Sequence, residues 1–162
     1  MCIRDSITVE GLIGLSMITA SVSWLVLLYP ALARMRFFAK RITLLVRAER
    51  QVQLSLVEHL GVPVLTELAL AVIQIRLDFI LFPLLFNFYA SDPSATIAFT
   101  LPELCRIARE GMAENLPAEV RLAGSQLQVA LEELSRTLAK EVLHIHCEDV
   151  DVVFRAFQNR EQ

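Results

Sequence analysis

The stretch GLIGLSMITASVSWLVLLYPALA occupies residues 11–33, and none of its 23 residues carries a charge. Glu10 and Arg34 bound it. As a helix rising 1.5 Å per residue it is about 34 Å long. The hydrocarbon core of a bilayer is roughly 30 Å thick, so the run can cross one with some tilt. A buried core helix rarely runs this long without a charge. A secretory leader would carry its cations before the run and a small-residue cleavage site after it. Here the cations follow the run, and Trp24, Tyr29 and Pro30 sit where a cleavage site would fall. The reading is a transmembrane helix over residues 7–33. Trp24, Tyr29, Arg34 and Arg36 are its interface residues, and the cations put its C-terminal side in the cytoplasm.

The six residues before this helix, MCIRDS, have a different character. Met1 to Asp5 fit the codons ATG TGT ATA AGA GAC, with AG opening the sixth, which resembles a transposase adapter used in DNA sequencing. Residues 1–6 are therefore expected to be a scar outside the fold, and the natural protein is expected to extend upstream of Ile7.

The remaining sequence is helical in pattern. Met35, Phe38, Ile42, Leu45, Val52 and Leu56 follow one another at three-, four- and seven-residue steps, an amphipathic stalk interrupted at Glu49. Gly61 and Pro63 end it, giving a stalk over 34–60. Residues 61–162 then read as an acidic helical domain. Val64 to about Leu77 is apolar. DFILFPLLFNFYA, residues 78–90, reads as a buried central helix broken at Pro83, and Asp92-Pro93 as a turn. Thr100 caps a helix carrying Pro102 and Glu103, and Gly111 closes it. Pro117 opens a longer helix with Leu127, Leu131, Leu134, Leu138, Val142 and Ile145 on one stripe, and Val150 to about Phe157 is the last amphipathic segment. Strands have no support, so the expected fold is all-α: one transmembrane helix, an amphipathic stalk and a cytosolic helical bundle.

Charge separates these parts. Residues 34–50 hold six cations (Arg34, Arg36, Lys40, Arg41, Arg47, Arg50) and one anion; residues 51–162 hold eight cations and fifteen anions. An acidic body is a poor footprint for nucleic acid, which is excluded as a partner. Cys2, Cys105 and Cys147 form no disulfide or zinc spacing. In His144-Ile145-His146-Cys147-Glu148 the two histidines would point about 200° apart on a helix, leaving only His144 with Cys147 or Glu148 as a geometric pair. That segment reads as a polar helix end, with no metal. His59 reads as a histidine at a helix C-terminus, where its charge is favoured. No nucleophile–base set and no phosphate loop is present, so neither an enzyme nor a cofactor is expected.

Small and hydroxyl residues punctuate the transmembrane run. Gly11, Gly14, Ser16, Thr19, Ala20, Ser21 and Ser23 allow close helix approach or face a watery cavity. Their alternative is simple satisfaction by their own backbone. EGLIGLSMITASVSWLVLLYPALAR resembles the inner helix and membrane exit of bacterial two-transmembrane potassium channel family proteins. Glu10, Gly11, Gly14, Ser21, Ser23, Trp24, Tyr29 and Pro30 follow that pattern in order, and DFILFPLLFNFYA and LPELCRIA are similar to the group's cytosolic domain. The resemblance implies a subunit of a homotetrameric potassium channel in the bacterial inner membrane. It makes Ser16, Thr19 and Ser23 pore-facing and Gly14 a hinge. A potassium pore also needs a Thr-x-Gly-Tyr-Gly filter loop, and none lies in the 162 residues. The alternative is a single-pass membrane-anchored helical adaptor or sensor.

Overall fold

A computed structural model describes residues 2–83, 85, 96–145, 147 and 149–160. The chain is all-helical, with no strand among the described residues. The elements are α1 (Cys2–Val52), α2 (Leu56–Leu81), α3 (Ile97–Gly111), α4 (Ala118–Leu138), a π turn (Ala139–Leu143) and α5 (Val150–Arg160). The turn assigned to Asp92-Pro93 lies outside the described residues, as do residues 84 and 86–90 of the expected central helix, His146 and Glu148.

α1 is one helix of 51 residues that carries Pro30 in its interior. Its apolar seam, Leu28, Ala31, Met35, Phe38, Ile42 and Val46, is buried in the same core as α2, α3 and α4. The segment read as a stalk is thus the spine of the helical domain. Its apolar face has no reason to stay in water when three helices can cover it. The boundaries move accordingly. α1 stops at Val52, where Gln53 takes a positive φ of 56° and donates its N–H to the Glu49 carbonyl at 2.9 Å.

α2 then begins behind Ser55, whose hydroxyl accepts the Glu58 N–H. Gly61 takes φ 51° and ψ −142°, a non-helical conformation that an L side chain rarely adopts, so α2 is two helical segments that meet at a kink there. His59 lies in the short first segment of α2, two residues before that kink, near the segment's C-terminal end. The two helices expected over 64–77 and from 78 onward are one, ending at Leu81 with Phe82 as its cap. Phe79 and Leu85 are buried, whereas Ile80 and Leu81 are exposed, so residues 78–81 do not form a helix buried all round.

α3 starts one turn earlier than its proline suggests. Thr96 is the cap position, and Thr100 sits inside the helix, its hydroxyl bonded to the Ile97 carbonyl at 2.8 Å. Gly111 is its last residue, and Pro117 precedes α4. α4 packs on α2, α3 and α5. It buries Leu127, Leu131, Leu134 and Leu138, and the stripe passes Val142 within the π turn.

Cross-helix pairs fix the directions. Arg34 meets Asp78 and Arg41 meets Glu67, so α1 and α2 run antiparallel. Gly61 lies beside Val120, and Arg76 reaches Glu133, so α2 and α4 run parallel.

Candidate functional site

From Glu10 to Leu27 every side chain of α1 is exposed, around its whole circumference. Leu12, Leu15, Met17, Ile18 and Val26 are more than 60% exposed. An apolar sleeve of this kind is costly in water, because each large aliphatic side chain left uncovered forgoes roughly 1.5–3 kcal/mol. The helix is long and apolar enough to cross a membrane.

The hydroxyls on the sleeve are all satisfied locally. Ser16 donates to the Leu12 carbonyl, Thr19 to Leu15, Ser21 to Met17 and Ser23 to Thr19, each at 2.8 Å. No donor is stranded in an apolar surrounding, which is how serine and threonine are tolerated in such helices. Removing these bonds should therefore cost little. The triple change Ser16→Ala, Thr19→Val, Ser23→Ala is expected to leave the melting temperature of the detergent-solubilised chain nearly unchanged, within about 0.5 kcal/mol of stability per site. A larger loss would mean that the hydroxyls hold something other than their own helix.

At 100° per residue Ser16, Thr19 and Ser23 fall within about 60° of one another on one face. Phe37 and Leu44, both exposed, continue that side of α1 below the sleeve. Gly14 lies on another side, with open space where a Cβ would stand, and α1 passes it without interruption. Tyr29 is exposed, as are Trp24 and Arg36.

Arg34 has a more specific role than a membrane-interface cation. Its Nε and Nη2 bond both oxygens of Asp78, at 3.0 and 2.7 Å. The Asp78 side chain is 2% exposed, against 47% for Arg34. A lone aspartate in an apolar run demands such a partner, and that was the signal in the sequence for this pair. Arg41 with Glu67 and Arg50 with Glu103 form further, more exposed ion pairs between the basic segment and the acidic domain.

At the far end of α1, Arg106 bonds Glu49, Glu103 and Glu110. Glu49 also accepts the Leu56 N–H at 3.1 Å, tying the start of α2 to the same cluster. Burial pushes the Glu49 carboxyl up, but Arg106 and the Leu56 N–H outweigh it and hold the group below its ordinary 4.5. A carboxylate lowered on folding stabilises the fold above its unfolded value, and that contribution is lost as pH falls through the folded value. A spin label at Gln53 is expected to gain mobility only below about pH 4.5, and a Glu49→Gln chain to show that mobility already at neutral pH. A pH-independent spectrum in both chains would refute the assignment.

Cys105 is buried and Cys147 partly exposed. Burial, with Asp151 nearby, pushes the Cys105 thiol up to about 11 against the opposing pull of Arg109. Reactivity follows the thiolate, so maleimide should modify Cys147 in the folded chain and Cys105 only after denaturation. Equal rates in the native protein would contradict the burial. His144 is exposed and left-handed, with φ 51°, just beyond the π turn. The helical spacing that would bring it to Cys147 is therefore not there.

Between α2 and α4 lies an open groove of about 620 Å³, lined by Leu70, Ile73, Val129 and Ala130, with Arg76 and Glu133 among its polar residues. Comparison with protein-family models, with curated proteins and with solved structures finds no match for this chain.

Proposed function

We propose that the chain is the inner-helix and cytosolic part of a cation-channel subunit, potassium-conducting, acting as a tetramer in a bacterial inner membrane. One observation carries this reading: a single unbroken helix runs from an uncovered apolar sleeve into the core of the helical domain. Such a helix transmits a displacement of its membrane part to the domain without a flexible joint. The hydroxyl face of Ser16, Thr19 and Ser23 supports it further. At 100° per residue that face points roughly 110° away from the seam that packs on the domain. Neighbouring helices can therefore gather on the hydroxyl face without meeting the chain's own domain. Interhelical contact in lipid relies on such small and hydroxyl residues.

The subunit count of the full chain in mild detergent tests the reading, together with oxidative cross-linking of single cysteines placed at Thr19 and at Ile18. Four copies, linked through Thr19→Cys and not through Ile18→Cys, are expected. With no filter loop in the 162 residues, the chain by itself is expected to insert without passing a potassium-selective current. A monomer that never cross-links would sink the channel reading. It would leave a single-pass helical adaptor, the reading favoured by the local satisfaction of every sleeve hydroxyl.

A further inference from the structure

Glu10 is the charge that precedes the uncharged run, and a bilayer core of roughly 30 Å takes about 20 helical residues. Counted from Glu10, the boundary therefore falls near Leu28 to Ala31. Leu28 and Ala31 are 3% and 0% exposed, because the helical domain already covers them. The domain thus begins where the bilayer ends, with no spacer between them.

Antiparallel pairing shows which part of the domain reaches that level. Asp78 stands opposite Arg34, and Glu67 stands opposite Arg41, farther from the sleeve. Beyond Asp78, α2 rises another three residues, about 4.5 Å. That brings Leu81 level with Pro30 and Ala31. Leu77, Ile80 and Leu81 share one face of α2 at three- and four-residue spacing. They are 45%, 50% and 68% exposed. At the opposite end the charged Glu58, Glu119 and Arg121 and His59 are exposed beside the apolar Val52, Leu54 and Leu122.

We infer that the C-terminal turn of α2 is a membrane contact. Leu77, Ile80 and Leu81 insert at the acyl-chain boundary of the leaflet that α1 leaves, and seat the domain on the lipid surface. This rests on α1 crossing the bilayer. The contact is apolar in nature. Leu77, Ile80 and Leu81 carry no charge, and the nearby Arg76 and Arg136 share Glu133 while Lys140 stands beside Glu141.

Trp24 is the single tryptophan, which makes fluorescence the natural readout. The full chain is reconstituted in phosphatidylcholine vesicles whose acyl chains carry bromine near the headgroup. The native chain is compared with Leu81→Trp and Leu122→Trp, each in a Trp24→Phe background. Leu122 is exposed at the Gly61 end of the bundle, far from Leu81. Expected is a blue-shifted Leu81→Trp emission that bromolipid largely quenches and aqueous acrylamide barely touches, with the reverse for Leu122→Trp. If native Trp24 escapes bromolipid, the membrane crossing itself fails and the contact with it. If Trp24 is quenched while Leu81→Trp is as open to acrylamide as Leu122→Trp, the crossing stands and the docked face is wrong. Protection of Leu81→Trp from both quenchers would give the face to a second copy and equally overturn the lipid contact.

Discussion

Replacing Gly124 with alanine is expected to cost the fold about 2–3 kcal/mol, after the modest gain in helix propensity that alanine brings. A Cβ at Gly124 would stand 2.6 Å from the Gly111 carbonyl carbon and 2.8 Å from its oxygen. Both are backbone atoms, so no side chain can swing aside. The start of α4 would have to separate from the end of α3, pulling Leu127 and Leu131 from the core they share with Leu104 and Ile107. Thermal unfolding of the full chain in detergent should show the midpoint falling by roughly 5–10 °C. The matching change at Gly111 should be milder. Its Cβ would meet the Gly124 Cα at 3.1 Å and the Leu65 side chain at 3.2 Å, and leucine can shift. Equal, small effects at both positions would mean that the helices do not cross this closely.

Removing Arg34 should have the second large effect. Arg34→Met is expected to destabilise the chain by about 2–4 kcal/mol, because it strands the Asp78 carboxylate in the core. Gln74 would remain near one oxygen at 3.4 Å, too long to compensate. The double change Arg34→Met, Asp78→Leu should restore most of the loss, since neither charge is then buried alone. A double-mutant cycle read by thermal melting gives the sign directly. Additive losses would show that the two side chains act independently and that the pair does not set the register of α1 against α2.

Much of the architecture was legible in the sequence. The charge-free run from Gly11 to Ala33, the spacing of Leu127, Leu131, Leu134 and Leu138, and Pro117 ahead of α4 each point to helix, and each is helix. Less legible were the joints. Gly61 and Pro63 suggested a stop, and Gly61 is non-helical and divides α2 at a kink, although helix resumes directly after it. An earlier break lies at Gln53 to Ser55, before Ser55-Leu56-Val57-Glu58. That spacing of a capping serine and an acid is a start signal that sequence reading passed over. Of the candidate site, the shared face of Ser16, Thr19 and Ser23 follows from spacing alone. That their hydroxyls bond their own carbonyls follows only from rotamers.

What the sequence determined by itself is the periodic part: which segments are helical, which faces are apolar, and where an uncharged span is long enough for a bilayer. Those properties depend on neighbours within a turn or two. Only the tertiary structure decided that the stalk is the spine of the domain. The same seam of Met35, Phe38, Ile42 and Val46 could face lipid, a partner or its own bundle with identical periodicity. Asp78, whose carboxylate is buried, chooses among these, with the more exposed Glu67 and Arg106 adding further pairs. They lie 26 to 57 residues from Arg34, Arg41 and Glu49, and a buried charge takes whichever opposite charge the packing brings within reach.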